Sequence, residues 1–508
     1  MNKPQHYFLF LATLGVLVFS LSALSPKEKW QVGPFELGFY TPNDLLGNFW
    51  TARPDALDTA FIAQDSNAVD ALADSIVRYA AAHAYTPDTA IAVKNVLSFA
   101  PFFDQLDQVA AGKKRAVRVL HYGDSQLEGD RITSVLRNAL QQRYGGGGFG
   151  YVAMAPLVAP SSLEFKDAVG WERKTVFGRR DTAIKDNRYG HLASFTSLVA
   201  NDTGAYAAHV TLKERRWGYA SARNYSKIKL FLEGNEPMRV AFQVGDSTVQ
   251  EREILPGTEL VTMPAPDTTE FDLLMEGDST TRIFGISFES GSGVQVDNVA
   301  MRGASGLMFT KMDSAQLARQ LQREGYQLVV LQFGGNTVPY LRDEAHAIRV
   351  GRSMARQLDF LKEVLPNAQF LYIGPSDMAR KEGLAMESYP LIIPLKQSLK
   401  SEVLKRGHAY WDLQDVMGGP GSMVRWVEEE PTLAVRDYIH FTPDGAKWVG
   451  QRLVEELLVL KEKIDREREA VRLRKEALLK ARADSLAALE RAQEAVINEQ
   501  RVQEVETE

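Results

Sequence analysis

The 508-residue sequence contains no cysteine. Disulfide staples, thiolate nucleophiles, zinc fingers and cysteine-held iron–sulfur clusters are therefore excluded. Histidine is scarce as well, eight in all, so few imidazoles can act as a base. Cationic excess is missing: 59 lysines and arginines stand against 65 acidic residues, a net charge of −6, which offers nucleic acid no attracting field. No internal repeat is present, and beyond residue 25 no apolar run reaches the length of a membrane span. What remains, 45% hydrophobic and 24% charged, has the balance of a globular chain and not of a fibrous or disordered one.

The first 25 residues carry one lysine and then a charge-free, largely apolar run from Tyr7 to Leu24. At 1.5 Å per residue it spans about 27 Å, close to a hydrocarbon core. Residues 1–25 are therefore expected to be a signal peptide or a membrane anchor, with the rest exported to a bacterial periplasm or cell envelope and tied to the inner membrane. Residues 26–115 read as a lead-in: an extended start around Trp30 and Phe35, then helical spacing over Asn67–Ala82 and Pro101–Val109.

A β-type run, Val117–Leu120, then opens an α/β pattern over 116–162, with a helix from Ile132 to Tyr144. Over 163–290 helical periodicity gives way to alternating runs at Ala208–Leu212, Lys227–Leu232, Arg239–Val244, Thr269–Leu274 and Arg282–Glu289, punctuated by turn residues. That spacing suggests a β-sandwich. The α/β rhythm resumes over 291–458, with strands expected at Gln295–Met301, Gln327–Phe333, Gln369–Ile373 and His408–Asp412. The simplest organisation is one α/β domain interrupted by a β-rich insert whose chain ends lie close together, so that a short linker could replace it. Residues 459–508 are charged and helical. Leu453, Leu457, Leu460 and Ile464 begin an apolar seam that fits either a solvated helix or a coiled coil joining protomers.

Four short blocks carry candidate chemistry. Gly123-Asp124-Ser125 falls between the first strand and the first helix, where a serine serves equally as a helix cap or as a nucleophile. Asp437-Tyr438-Ile439-His440 places a carboxylate three residues before an imidazole, and a carboxylate on one ring nitrogen leaves the other free to accept a serine proton. The strand over Gln327–Phe333 ends in Gly334-Gly335-Asn336, whose amide could face a developing oxyanion. Asn298-Val299-Ala300-Met301-Arg302-Gly303 ends its strand in a glycine that lets a backbone N–H approach substrate. Either of the last two alone reads as an ordinary strand-to-loop turn.

In this order the four blocks resemble the SGNH (GDSL) hydrolases. The resemblance implies a flavodoxin-like α/β/α sandwich, with Ser125 as nucleophile, His440 as base and Asp437 as its orienting partner. It also implies an oxyanion hole of the Ser125 N–H, the Gly303 N–H and the Asn336 side chain. Gln126 stands where the family name has leucine, and Thr337 follows Asn336 where aspartate is common.

Closer similarity is to the peptidoglycan O-acetylesterases. It is carried by Asp130, Leu136-Arg137, Leu140-Gln141, Gly145–Tyr151, Trp411-Asp412-Leu413 and Met417–Met423, over roughly residues 100–460. That group inserts a β-domain like a carbohydrate-binding module where this chain has its β-rich stretch. The resemblance implies a serine esterase that removes O-acetyl groups from an envelope polysaccharide without metal or organic cofactor. An O-acetyltransferase with the same triad, and a non-catalytic glycan-binding scaffold, are the alternatives.

Several residues imitate the motif. Asp343-Glu344-Ala345-His346 repeats the Asp-x-x-His spacing inside a helical pattern, where such pairs are ordinary surface neighbours. His121 precedes the serine block and reads as structural. Gly145–Gly148 lacks the lysine of a phosphate loop and reads as a turn. Trp217, Tyr219 and Tyr225 of the insert are expected in its core, with sugar stacking as the other use.

Overall fold

The computed structural model describes residues 30–32, 35–37, 90–178 and 181–506. The apolar segment 1–25 and the helix expected over Asn67–Ala82 lie outside the described residues. Among the described residues no helix is long and apolar enough to cross a membrane. The chain divides into two units, Met1–Ala82 with Leu473–Glu508, and His83–Arg472. Within the first, Trp30–Val32 pairs antiparallel with Phe35–Leu37. Everything below concerns the second unit unless stated.

Five parallel strands form the central sheet: β1 (Ala116–Gly123), β2 (Gly293–Ala300), β3 (Tyr326–Gln332), β4 (Gln369–Ile373) and β5 (Ala409–Trp411). Their spatial order is β2-β1-β3-β4-β5, and Ile91–Ala92 adds an antiparallel edge beside β5. This is the flavodoxin-like order, in which the strand sequence reverses between β1 and β3. Alternate residues of each strand enter separate cores. Val117, Val119, Leu328 and Val330 pack under the helices Ala100–Ala110, Thr133–Tyr144 and the start of Pro443–Glu506. Leu120, Tyr122, Val329 and Leu331 face Ser314–Glu324, Glu344–Val364 and Ile392–Lys405. Burial on both faces is why β3, β4 and β5 are largely apolar along their length, whereas β1 and β2 also bury polar residues such as Arg118 and Asp297.

Residues between β1 and β2 build two antiparallel sheets. One holds Leu260–Pro264, Lys227–Glu233, Arg282–Glu289, Ser194–Leu198 and Trp171–Thr175, with Gly150–Val152 also paired to Arg282–Glu289. The other holds Ser247–Ile254, Met238–Val244, Glu270–Gly277, Tyr206–Glu214 and Leu163–Val169. The five runs expected from sequence appear among these strands, together with several that it did not reveal.

The insert is not a free-standing module. Ile228, Leu230 and Leu232 fill its own core, while the intervening Phe231 joins the α/β core with Tyr189, Phe195 and Phe284. A buried ionic joint crosses the same boundary. Arg118 of β1 pairs with Glu289 (2.8 Å), Asp297 (3.0 Å) and Glu324 (3.1 Å), and Lys229 of the insert reaches Glu324 at 2.6 Å. This shared packing weighs against replacing the insert by a short linker.

Glycine at 146–148 reflects crowding. A Cβ on Gly146 would lie 2.5 Å from the Val294 nitrogen, and one on Gly148 2.0 Å from the Phe288 carbonyl oxygen. These residues form a loop packed against the backbone of β2 and of the strand Arg282–Glu289. The C-terminal helix, Pro443–Glu506, is continuous over 64 residues. Its first seam residues, Leu453, Leu457, Leu460 and Ile464, are buried in the α/β core. Arg468 anchors it further through a two-pronged ion pair to Asp104, at 2.5 and 2.6 Å.

Candidate active site

β1 ends at Gly123, where any side chain would collide with Leu127: a Cβ at this position would lie 2.6 Å from Leu127 Cδ1. The chain then turns into a 3-10 segment, Ser125–Asp130, capped by Asp124, whose carboxylate accepts the Gln126 N–H at 3.0 Å. Ser125 is thereby presented at the carboxyl edge of the sheet, beside the reversal between β1 and β3, where ligands enter folds of this order.

His440 comes to it from 315 residues away. Ser125 Oγ lies 2.9 Å from His440 Nε2, and His440 Nδ1 lies 2.7 Å from Asp437 Oδ2. The other oxygen, Asp437 Oδ1, accepts the backbone N–H groups of Ile439 (2.9 Å) and His440 (3.0 Å). Partial burial of Asp437 opposes its charge, but the hydrogen bonds from the His440 backbone and ring and from Ile439 prevail and lower its pKa. A carboxylate kept ionised on Nδ1 favours the tautomer whose Nε2 accepts from the serine. The intervening Tyr438 takes φ +58°, and its carbonyl accepts from the Ala379 N–H at 3.0 Å.

Ser125 and His440 open onto a cleft of about 170 Å³ that Asn336 also lines, with Asp437 behind the imidazole. The Asn336 amide donates to Asp124 Oδ2 and to the Ala304 carbonyl, each at 3.2 Å. Gly303 sits outside the lining, on an exposed turn with φ +76°. Its neighbour Arg302 forms a bidentate pair with Glu128, both contacts 2.7 Å, tying that turn to the serine segment. Asp124 is fully buried, and burial pushes its carboxyl up to about 6 against the Gln126 N–H, the charge of His440 and the Asn336 amide.

Two residues escaped the motif reading. Gln126 Nε2 donates to the Ile439 carbonyl at 2.7 Å, and its Oε1 accepts the Phe441 N–H at 3.2 Å. Arg131 donates to the carbonyls of Phe441 (2.8 Å), Glu128 (2.9 Å) and Ser125 (3.3 Å). Together they bracket His440 and lock its loop to the serine segment. The only trace in the sequence was that Gln126 replaces a leucine.

The imitators are placed elsewhere. Asp343 caps the helix Glu344–Val364 by accepting the His346 N–H at 2.6 Å, so that pair is a capping interaction. His121 is buried, its Nδ1 3.0 Å from Thr133 Oγ1, and desolvation lowers its pKa to about 3. Tyr225 packs edge-on against Phe288 in the insert, whereas Trp217 is 91% exposed and not a core residue.

A flavodoxin-like sandwich with a Ser–His–Asp relay at the reversal of its strand order defines the SGNH-hydrolase fold. Among solved structures, the chain is similar to a peptidoglycan O-acetylesterase at 22% identity and a TM-score of 0.56, over 73% of this chain and 99% of that one. A salicylyl-acyltransferase from a tetracycline biosynthetic pathway matches at 11% identity over 61% of this chain and 97% of that one, with a TM-score of 0.26. A family two carbohydrate esterase from Cellvibrio japonicus matches at 10% identity over 59% of this chain and 98% of that one, with a TM-score of 0.22. Neither of the last two is close enough to inform this chain. No protein-family model and no curated protein matches the sequence.

Proposed function

We propose that the protein is a serine esterase that removes O-acetyl groups from an envelope glycan, with peptidoglycan the substrate suggested by the structural likeness to a peptidoglycan O-acetylesterase. The observation that carries the reading is the unbroken relay of Ser125 Oγ, His440 and Asp437 at 2.9 and 2.7 Å. Ser125 Oγ attacks the acetyl carbonyl carbon as His440 Nε2 takes its proton. The tetrahedral oxyanion collapses by breaking the bond to the sugar oxygen, which leaves with the proton from His440. Water, deprotonated by His440, then attacks the acetyl carbon, and the bond to Ser125 Oγ breaks as His440 returns the proton to that oxygen, releasing acetate. Asn336 and the Ser125 and Gly303 N–H groups are the proposed oxyanion donors. The proposed setting is the periplasmic side of the inner membrane.

A relay this well formed argues against a purely scaffolding role. The test is acetate release from an aryl acetate and from O-acetylated peptidoglycan. Ser125→Ala and His440→Ala should each abolish it with the fold intact, since triad members act as a unit. His346→Ala should be neutral. Substantial turnover by the Ser125 variant would overturn the assignment.

A further inference from the structure

Tyr340 stands at the rim of the cleft that holds Ser125, His440 and Asn336, and the residue is 78% exposed. It closes the same 3-10 turn, Gly335–Tyr340, that carries Asn336. That turn is stiff. The Thr337 N–H and Oγ1 both donate to the Gly334 carbonyl, at 3.0 and 2.7 Å, Val338 is buried, and Pro339 fixes the backbone just before the ring. Tyr340 is therefore carried on a fixed backbone at the cleft rim, with most of its surface open to solvent.

The cleft lining contains no lysine or arginine, and its single carboxylate, Asp124, is buried. Such a surface has nothing to neutralise a phosphate or a carboxylate, so it selects a neutral group. A pyranose ring presents one face of C–H bonds and directs its hydroxyls outward. Laid on a tyrosine, it covers apolar surface on both partners while the hydroxyls stay hydrated.

We propose that Tyr340 is the platform of a sugar subsite: the neutral pyranose bearing the ester stacks on its ring, which aims the acyl group at Ser125. This rests on the esterase reading above and names how its substrate is held.

The experiment uses the full-length protein and three variants, Tyr340→Ala, Tyr340→Phe and Ser125→Ala. Acetate release is measured from an aryl acetate and from chemically O-acetylated chitopentaose. Tyr340→Ala should raise KM for the oligosaccharide about tenfold with kcat little changed, and Tyr340→Phe should stay within about twofold of the parent. Aryl acetate turnover should be abolished by Ser125→Ala, and Tyr340→Ala should lower it less than it lowers turnover of the oligosaccharide. Binding of chitopentaose to Ser125→Ala, with and without Tyr340→Ala, is measured by calorimetry, and the second substitution should weaken it by a similar factor. Tyr340-independent binding and KM, or an equal loss on both esters, would overturn the subsite. Tyr340-dependent binding in a protein that hydrolyses neither ester would sustain the subsite and overturn the esterase reading instead.

Discussion

Gln126 holds His440 in place without touching it. Its carboxamide spans the backbone on either side of the imidazole, donating to the Ile439 carbonyl and accepting from the Phe441 N–H. The residue after Ser125 thus sets the height of the His440 imidazole above it, a link between positions more than 300 apart in the chain. Gln126→Met keeps the volume and removes both hydrogen bonds. Displacement of a catalytic group by a fraction of an ångström to one ångström costs on the order of ten- to a hundredfold in rate. The kcat for an aryl acetate should fall by about that factor with KM nearly constant. An unchanged kcat, measured alongside a normal melting temperature, would show that Arg131 alone positions the loop.

Asn336 is bonded to Asp124 and Ala304 in the open cleft, so its amide already points at the residue beside Ser125. Asn336→Ala should lower kcat by about 10²–10³ with little change in KM, as for loss of one oxyanion donor. It should also raise the Asp124 pKa further, because one of the donors that stabilises the carboxylate is gone. A large KM effect at constant kcat would place Asn336 in ground-state binding.

The buried Asp124 carboxyl gives the site a pH signature. Its folded pKa of about 6 lies above the ordinary 3.8, so the folded state holds the proton more tightly than the unfolded state. The sign follows: this group's contribution is full below about 4 and is lost as pH rises to about 6. The loss amounts to at most about 3 kcal/mol, from roughly two pKa units. Asp124→Asn has no such term. Urea unfolding at several pH values should show the variant gaining on the parent between pH 4 and 6, with a constant difference above that. A difference that is flat throughout would mean that the carboxyl is not perturbed.

The central sheet was legible because most positions of its parallel strands are apolar, and β2 to β5 appear within a few residues of where the sequence placed them. The serine and histidine blocks were legible because their spacing and order are local. Gln126 was not, since its partners are distant and nothing about a glutamine in a turn names them. Ser247–Ile254 was missed because it is an edge strand, Ser-Thr-Val-Gln-Glu-Arg-Glu-Ile, exposed nearly throughout and without an apolar face. The dependence of the insert on the α/β domain was hidden for a related reason. Phe231 interrupts the alternation of Lys227–Glu233, and only the fold shows which core receives it.

The Arg118 joint yields a stability prediction. Arg118 is buried with Glu289, Asp297 and Glu324, and Lys227 and Lys229 offset only part of their charge. Arg118→Met would leave buried carboxylates short of a partner, which typically costs about 3–5 kcal/mol. The urea midpoint should fall accordingly. A neutral outcome would mean that water enters the joint and solvates the acids.

Replacing residues 163–290 by a short linker carries the same logic to its limit. The deletion would strip Phe231, Phe284, Phe195 and Tyr189 from the core they share with Leu120, Tyr122 and Val329. The Tyr122 hydroxyl would lose the His191 carbonyl to which it donates at 2.5 Å, and Arg118 would lose Glu289. Each large apolar side chain contributes about 1.5–3 kcal/mol, so four of them approach the whole stability of a typical domain, about 5–15 kcal/mol. β1 carries both the damaged core and the approach to Ser125. The truncated chain should therefore be insoluble or unfolded by circular dichroism, and hydrolysis of the small aryl ester should vanish together with hydrolysis of the glycan. A soluble variant that kept the aryl esterase and lost only the polymer would show instead that the insert is a separable binding module and that its shared core is dispensable.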